Sequence, residues 1–127
     1  MSWLVALLLF FSAHNQIRAD AGVCPLAWDA NLTVEAVERA EHEASLGYLS
    51  HEGFPSFSYA VGAGENLGRT VYDPALLLPM FEASPTHYAN MIEPRYDRVG
   101  IGFTHGADGY TYVAILFEDI DGAGCHL

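Results

Sequence analysis

The stretch YTYVAILF, residues 110–117, is almost continuously apolar and dominates the prediction of the fold. Such a run is typical of a central strand covered on both faces, because a strand with one wet face alternates polar and apolar side chains. Just upstream, Val99, Ile101 and Phe103 alternate with glycines, and residues 106–109 (GADG) have the composition of a hairpin turn. The two segments therefore predict two adjacent antiparallel strands.

Helices are predicted for the part of the chain that precedes these strands. The first runs from about residue 4 to residue 21, where Gly22 is a suitable stop. The second begins near Asp29, and charged residues such as Arg39 are expected to cover much of its surface outside the apolar stripe. The stripe recurs every four residues, at Leu32, Ala36, Ala40, Ala44 and Tyr48.

Two shorter helices complete the helical set. Asp73-Pro74 and Ser84-Pro85 each place a capping residue before a proline suited to a first helical turn. The helices precede the strands in the sequence, and one strand must be buried on both faces. This order implies an α+β fold. We expect a three-layer α-β-α sandwich with a small, mainly antiparallel central sheet.

Length and charge limit the partners of this protein. The chain has 127 residues, which is one domain by length, and it carries a formal net charge of −11. An acidic surface is repelled by phosphate, so nucleic acid is not expected as a partner and anionic membranes are disfavoured. Nothing in the composition indicates an oligomeric state.

The N-terminal residues are apolar but too few to cross a bilayer. Residues 3–11 form an unbroken apolar run, whereas a span needs about 20 residues, so no transmembrane span is expected. The run has the length of a signal-peptide core, yet no Lys or Arg precedes it. We interpret residues 1–13 as signal-like or as the start of the first helix, and residues 14–127 as a single domain. Because residues 14–21 are expected in that helix, we predict no cleavage after Ala21.

Two cysteines, Cys24 and Cys125, lie near opposite ends of the domain. In an oxidising compartment they could close one long loop, which would contribute about 4–5 kcal/mol by the loop-entropy argument. The alternative is a pair of free thiols in a reducing cytosol. We expect the disulfide.

Four segments, in order along the chain, resemble a known protein family. They are residues 14–18 (HNQIR) with 25–29 (PLAWD), the second helix with 47–51 (GYLSH), residues 64–67 (GENL), and residues 84–92 (SPTHYANMI) with 94–96 (PRY) and 99–102 (VGIG). Together they resemble the bacterial branch of the CAP superfamily, whose SCP domain is shared by cysteine-rich secretory, antigen 5 and pathogenesis-related proteins. The resemblance implies a protein that is secreted or associated with the cell envelope.

The resemblance also implies a cleft in which His51 and His87 face each other near Glu65. Two imidazoles and a carboxylate could ligate Zn²⁺ or another divalent cation, or Glu65 could stand behind one imidazole and fix its tautomer. The alternative is that both histidines are structural. Ser84 could be a nucleophile, but its Ser-Pro context predicts a helix cap.

Other motif residues are interpreted as structural. Asn15 and Arg18, one helical turn apart, are expected to tie the first helix to loops. Residues 64–66 (GEN) are interpreted as a tight turn that presents a polar pair, Glu65 and Asn66, which either cross-links backbone around the cleft or takes part in catalysis.

The family pattern is not complete in this sequence. Phe81 stands where the family usually has Trp, Tyr88 stands where bacterial members often have Arg, and Arg39 aligns with a histidine of the second helix. The second glutamate of eukaryotic members falls on Ser84, so the cleft has one family carboxylate instead of two.

Two hypotheses about function follow. In the first, the protein is an exported binding module whose cleft takes a small apolar or envelope-derived ligand, with or without a divalent metal; sterol or lipid binding elsewhere in the family motivates it. In the second, it is a metal-assisted hydrolase of a peptide, ester or cell-wall substrate that uses His51, His87 and Glu65. Binding is favoured, because the sequence offers no unambiguous nucleophile and one cleft carboxylate is missing.

Overall fold

The fold is known from a computed structural model that describes residues 2–53 and 62–119. The helices and strands follow one another along the chain in this order: α1 (Trp3–Asp20), β1 (Ala27–Trp28), α2 (Ala30–Leu46), β2 (Gly62–Thr70), a 3₁₀ turn (Pro74–Leu76), α3 (Leu77–Glu82), α4 (Pro85–Met91), β3 (Arg98–His105) and β4 (Thr111–Asp119).

The four described strands form one sheet in the order β1-β3-β4-β2. β4 is antiparallel to both of its neighbours, whereas β1 pairs with β3 in parallel. All nine residues of β4 are buried, which confirms that the apolar run of residues 110–117 forms a central strand. The sheet is therefore small and mainly antiparallel, as predicted.

Helices cover both faces of the sheet. On one face, α2 contributes Leu32 and Ala36 to a buried cluster with Leu116 of β4. On the other face, α1, α3 and α4 pack against β3 and β4 in a larger cluster, which includes Phe10, Phe81, Met91, Ile101, Ile115 and Phe117. This arrangement confirms the α-β-α sandwich.

The small residues of α2 allow the helix to approach the sheet closely. A Cβ atom at Gly100 of β3 would collide with the backbone of Leu32, and one at Gly102 with the backbone of Ala36. The glycines that alternate with apolar residues in β3 are therefore required by this contact with α2. The stripe predicted for the helix is one residue too long, because the helix ends at Leu46 and Tyr48 is exposed.

The apolar N-terminal residues form the first part of α1. One helix runs through residue 13 without a break and buries Phe10, His14 and Arg18. It ends just before Gly22, whose φ of 77° is the left-handed conformation expected of a helix stop. Among the residues described, no helix has the length and apolar character needed to cross a membrane.

Two predictions depend on residues outside the described ranges or on processing. Cys24 is not a free thiol, but Cys125 lies outside the described residues, so the pairing of the two cysteines stays a prediction. A thiol titration of the exported protein would test it. The absence of cleavage after Ala21 also stays a prediction, which the mass of the mature protein would test.

The tight turn predicted at residues 64–66 is wrong. These residues lie within strand β2, where Glu65 pairs with Leu116 of β4. The sequence GAGENLGRT lacks the alternation that identifies a strand, and Thr70 is its only β-branched residue. Its extended conformation is instead stabilised by pairing along the whole length of β4.

Candidate functional site

Glu65 is a buried carboxylate with hydrogen bonds to both of its oxygens. Its side chain is 1% exposed. Arg39 donates from Nε to Oε2 at 2.7 Å and from Nη2 to Oε1 at 3.0 Å, and Nδ1 of His51 lies 2.8 Å from Oε1. The guanidinium therefore donates a hydrogen bond to each carboxylate oxygen, which is the strong, charge-assisted, bidentate geometry of an arginine–carboxylate pair.

Arg39 also holds the segment that carries His51. It donates to the backbone carbonyl of Ser50 at 3.1 Å and to that of Glu52 at 2.8 Å. Its hydrogen bond to Glu65 raises the pKa of Arg39 above the usual arginine value. One cation thus fixes both the carboxylate of β2 and the backbone on either side of His51.

A second buried carboxylate, Glu43, completes this network. It lies four residues after Arg39 on α2, with Oε1 3.4 Å from Nη2 of the arginine. Its other oxygen accepts a hydrogen bond from the backbone N–H of Ser50 at 2.8 Å. The expectation that Arg39 lies among surface charges is wrong, because both it and Glu43 are buried under the segment that follows α2.

His51 is the exposed member of the cleft. Its Nδ1 faces Glu65, while 63% of its side chain is accessible to solvent. Glu65 thus stands behind this imidazole and fixes its orientation, as carboxylates do for ligating or catalytic histidines.

His87 lies in the first turn of α4 and is half-buried. Its Nδ1 lies 2.8 Å from Oγ of Ser84, and its ring packs against Phe81 with 4.9 Å between the ring centroids. Burial lowers the pKa of His87, and the charge of His51 lowers it further. The imidazole of His87 is therefore neutral at pH 7, and the two histidines lie close enough to interact electrostatically.

Ser84 occupies the cap position at the start of α4, but its hydroxyl does not cap the helix. The backbone there has φ −101° and ψ 117°, which is normal for a cap residue, yet the side chain makes no capping hydrogen bond. The hydroxyl contacts His87 instead. The predicted cap is therefore right in position and wrong in the role of the side chain, because an imidazole three residues later competes for the hydroxyl.

Asn66 and Asn90 tie α4 to β2. The side chain of Asn66 donates to the backbone carbonyl of His87 at 3.1 Å. Asn90 in turn donates to Oδ1 of Asn66 at 3.0 Å and to the carbonyl of Glu65 at 3.3 Å. These bonds hold the helix that carries His87 beside the strand that carries Glu65.

Asn15 and Arg18 tie α1 to the loops below it. Asn15 exchanges two hydrogen bonds with the backbone of Leu26, at 2.8 and 3.1 Å. Arg18 is fully buried, and its guanidinium donates to four backbone carbonyls. These are the carbonyls of Cys24, Met91, Glu93 and Tyr96, at 2.7, 2.9, 3.0 and 3.2 Å.

A mainly apolar pocket of about 290 Å³ opens beside His87. His87 and Ser84 line it together with Arg69. Its apolar walls come from β2, α3 and the segment after α2, namely Leu49, Leu67, Leu77, Met80 and Phe81. The motifs point to His87 and Ser84, but nothing in the sequence indicates that α3 and β2 enclose a pocket with them.

The cleft does not fit a divalent metal. Both oxygens of Glu65 are occupied by Arg39 and His51. His51 and His87 turn Nδ1 toward Glu65 and Ser84, so only their Nε2 atoms could ligate a metal, whereas zinc sites in proteins use three or four protein ligands. Across residues 2–53 and 62–119, no three His, Cys, Asp or Glu side chains form a group that could hold a metal ion. Arg39 bonds to both oxygens of Glu65, so this carboxylate is not free to ligate a metal.

Sequence reasoning missed Arg39 and Glu43. Two signals were available: Arg39 follows the buried Ala36 by three residues, and Glu43 follows Arg39 by four, which is the spacing of an ion pair on one helix face. Neither signal indicates that the pair is buried, because burial depends on the segment that folds over it.

Comparisons with known proteins agree with the fold. A family model described as the cysteine-rich secretory protein family, CAP, matches residues 11–117. The chain is 26% identical over 121 residues to pathogenesis-related leaf protein 6 of Solanum lycopersicum, covering 87% of this chain and 76% of that protein. It is 27% identical to Golgi-associated plant pathogenesis-related protein 1 of Homo sapiens, covering 83% and 77% of the two chains.

Solved structures share the fold at lower sequence identity. An outer surface protein of Borrelia burgdorferi superposes with a TM-score of 0.82 at 16% identity, over 93% of this chain and 95% of that one. An extracellular protein containing an SCP domain from Bacillus anthracis gives 0.73 at 21% identity, over 87% of this chain and 39% of that longer one.

Proposed function

Because the chain belongs to the cysteine-rich secretory protein (CAP) family, we propose that it is an exported binding domain for a small apolar or envelope-derived ligand. The ligand occupies the pocket beside His87. Export, to the medium or the cell envelope, is supported by the relatives, which include an extracellular protein and an outer surface protein.

The observation that carries the proposal is the composition of the pocket. Its walls are mostly leucine, methionine and phenylalanine side chains. Transfer of apolar ligand surface from water to such walls contributes about 25 cal/mol per Å². A volume of about 290 Å³ is small for a ligand site, so the ligand, or the part of it that enters, is small.

A few polar groups among the lining residues of this pocket can orient a ligand. Ser84 supplies a hydroxyl, the imidazole of His87 offers a second hydrogen-bonding group, and Arg69 adds a guanidinium. Few polar groups among apolar walls are the usual composition of a small-molecule site. The ligand is thus an apolar body that carries a hydrogen-bonding group.

Metal-assisted hydrolysis is supported less well than binding. That reaction requires a metal-bound water and a carboxylate free to accept its proton. Arg39 and His51 already bond to both oxygens of Glu65.

One contact favours a second candidate function, hydrolysis of an ester by a serine nucleophile. Oγ of Ser84 lies 2.8 Å from Nδ1 of His87, a neutral base that could accept the hydroxyl proton. Incubation with a fluorophosphonate probe tests this function, because an activated serine becomes covalently labelled. Labelling of Ser84 that is lost in S84A, together with turnover of an ester substrate, would support hydrolysis; no labelling would leave ligand binding as the only proposed function.

A matched pair of variants tests the binding proposal. Met80 lines the pocket, whereas Leu76 is a neighbouring exposed residue outside it. We expect M80E to weaken binding of the neutral fluorescent probe N-phenyl-1-naphthylamine by about tenfold or more, and L76E by less than about twofold. Equal binding by wild type and M80E, or no binding by wild type, would contradict the proposal.

A further inference from the structure

We infer that Arg39 is the resident cation of the cleft: it takes the place of a divalent metal and makes the site unable to bind one. The inference does not depend on ligand binding in the neighbouring pocket. It rests on five hydrogen bonds that leave one guanidinium and end on oxygen atoms. The acceptors belong to Glu43, Ser50, Glu52 and, twice, Glu65.

The acceptors around Arg39 are oxygen atoms of the kind that bind hard metal cations. Carboxylate and backbone carbonyl oxygens ligate such ions in proteins. Here the positive charge comes from a side chain on α2, which compensates Glu65 and Glu43 together. A metal ion could reach Glu65 only by displacing a guanidinium that is itself mostly buried, at 10% side-chain exposure.

Arg39 also performs the positioning that a metal would perform. A metal shared by two ligands fixes the distance between their chain segments. Arg39 does the same for β2, through Glu65, and for the chain on either side of His51, through two backbone carbonyls. His51 therefore keeps its orientation against Glu65 with no ion bound.

The experiment is calorimetric titration of Zn²⁺ into wild type and R39H. The substitution removes the guanidinium that bonds to Glu65 and supplies an imidazole at the same position of α2. We expect no cleft binding in wild type up to about 1 mM Zn²⁺ and binding near about 10 µM in R39H, a gain of about 100-fold. NMR signals of the His51 and His87 rings, followed in the same titration, locate the ion.

Two variants serve as controls: one for adventitious Zn²⁺ sites, and one for whether His87 ligates the zinc ion. Arg95 is a surface arginine with 71% side-chain exposure, so R95H adds a histidine outside the cleft and should behave as wild type. Adding H87A to R39H should abolish the gain.

Either of two results would overturn the inference. One is micromolar Zn²⁺ binding by wild type that shifts the ring signals of His51 and His87. The other is a folded R39H protein, checked by circular dichroism, that gains no affinity. If R39H does not fold, R39Q tests the removal of the guanidinium alone: its amide cannot engage both carboxylate oxygens, so it should gain Zn²⁺ affinity by less than R39H, and no gain in a folded R39Q protein would also overturn the inference.

Discussion

Arg18 and Arg39 are both buried arginines, but they differ in what surrounds them. Arg18 lies among four backbone carbonyls, and burial lowers its pKa to about 10. Arg39 is paired with carboxylates, and the hydrogen bond to Glu65 raises its pKa. The first arginine joins α1 to the chain around α4 through neutral dipoles, whereas the second neutralises a buried charge in the cleft. Removing Arg18 and removing Arg39 should therefore change the free energy of unfolding in different ways.

The largest loss of unfolding free energy is expected for R39M. It leaves Glu65 and Glu43 buried without their cation, and breaking a buried pair from one side costs about 3–5 kcal/mol of unfolding free energy. Adding E65Q should restore about 1–2 kcal/mol, because the uncompensated charge is then gone. Urea denaturation of wild type, R39M, E65Q and the double variant measures this coupling. A loss below about 1 kcal/mol for R39M would show that the pair does not hold the cleft together.

A similar or smaller loss is expected for R18M. Four carbonyls lose a charged donor, at a cost of about 2–4 kcal/mol after the loops relax. Since no carboxylate is left uncompensated, R18M and E65Q should be additive within about 0.5 kcal/mol. Strong coupling between them in the same denaturation experiment would mean that the two arginines do not belong to separate regions.

His14 makes the region of Arg18 sensitive to acid. Burial, and then the charge of Arg18, lower the pKa of His14 to about 4. Between pH 6.5 and about 4 the unfolded chain binds a proton that the folded protein does not, so stability falls with falling pH. The full loss is on the order of 2–3 kcal/mol. H14M should remove this loss, and an unchanged pH dependence of urea midpoints in H14M would contradict it.

Glu118, at the end of β4, should change the stability in the opposite direction with pH. Burial, with the charges of Asp29, Glu35 and Asp97, raises its pKa to about 7. The folded protein therefore keeps a proton between pH 4.5 and about 7 that the unfolded chain releases, so stability falls as pH rises. E118Q should remove this loss, on the order of 2–3 kcal/mol. Because His14 and Glu118 oppose each other, wild type alone would show a nearly flat profile near pH 5–6, and only the variants separate the two.

The smallest effect is expected for S84A. Since the hydroxyl does not cap α4, its loss should cost less than about 0.5 kcal/mol. Asp29 is the matched control, because its carboxylate caps α2 by accepting from the N–H of Leu32 at 2.8 Å. D29A should cost about 1 kcal/mol. Equal losses in thermal melts would show that Ser84 caps its helix after all.

The fold could be predicted from sequence because its signals are local. The apolar run of β4, the stripe of α2 and the caps before α2 and the 3₁₀ turn each depend on residues within a few positions of one another. Strand β2 could not be predicted in the same way, because its glycine-rich sequence takes its conformation from β4.

In the candidate site, too, the residues in local motifs could be predicted, whereas the roles that depend on long-range contacts could not. His51, Glu65 and His87 are found by their motifs, and so is Asn66, since these residues stand in recognisable surroundings. The role of Arg39 depends on Ser50 and Glu52 folding over it, and such long-range contacts leave no pattern along the chain. The pocket is missed for the same reason, because its walls come from separate elements.

The pocket beside His87 should bind an apolar ligand without a metal. Titration of wild-type protein with N-phenyl-1-naphthylamine after treatment with EDTA, and again with Zn²⁺ added, tests this expectation. Since Arg39 supplies the cation of the cleft and the pocket walls are apolar, we predict the same dissociation constant in both titrations. Binding that disappears in EDTA and returns with Zn²⁺ would contradict the account.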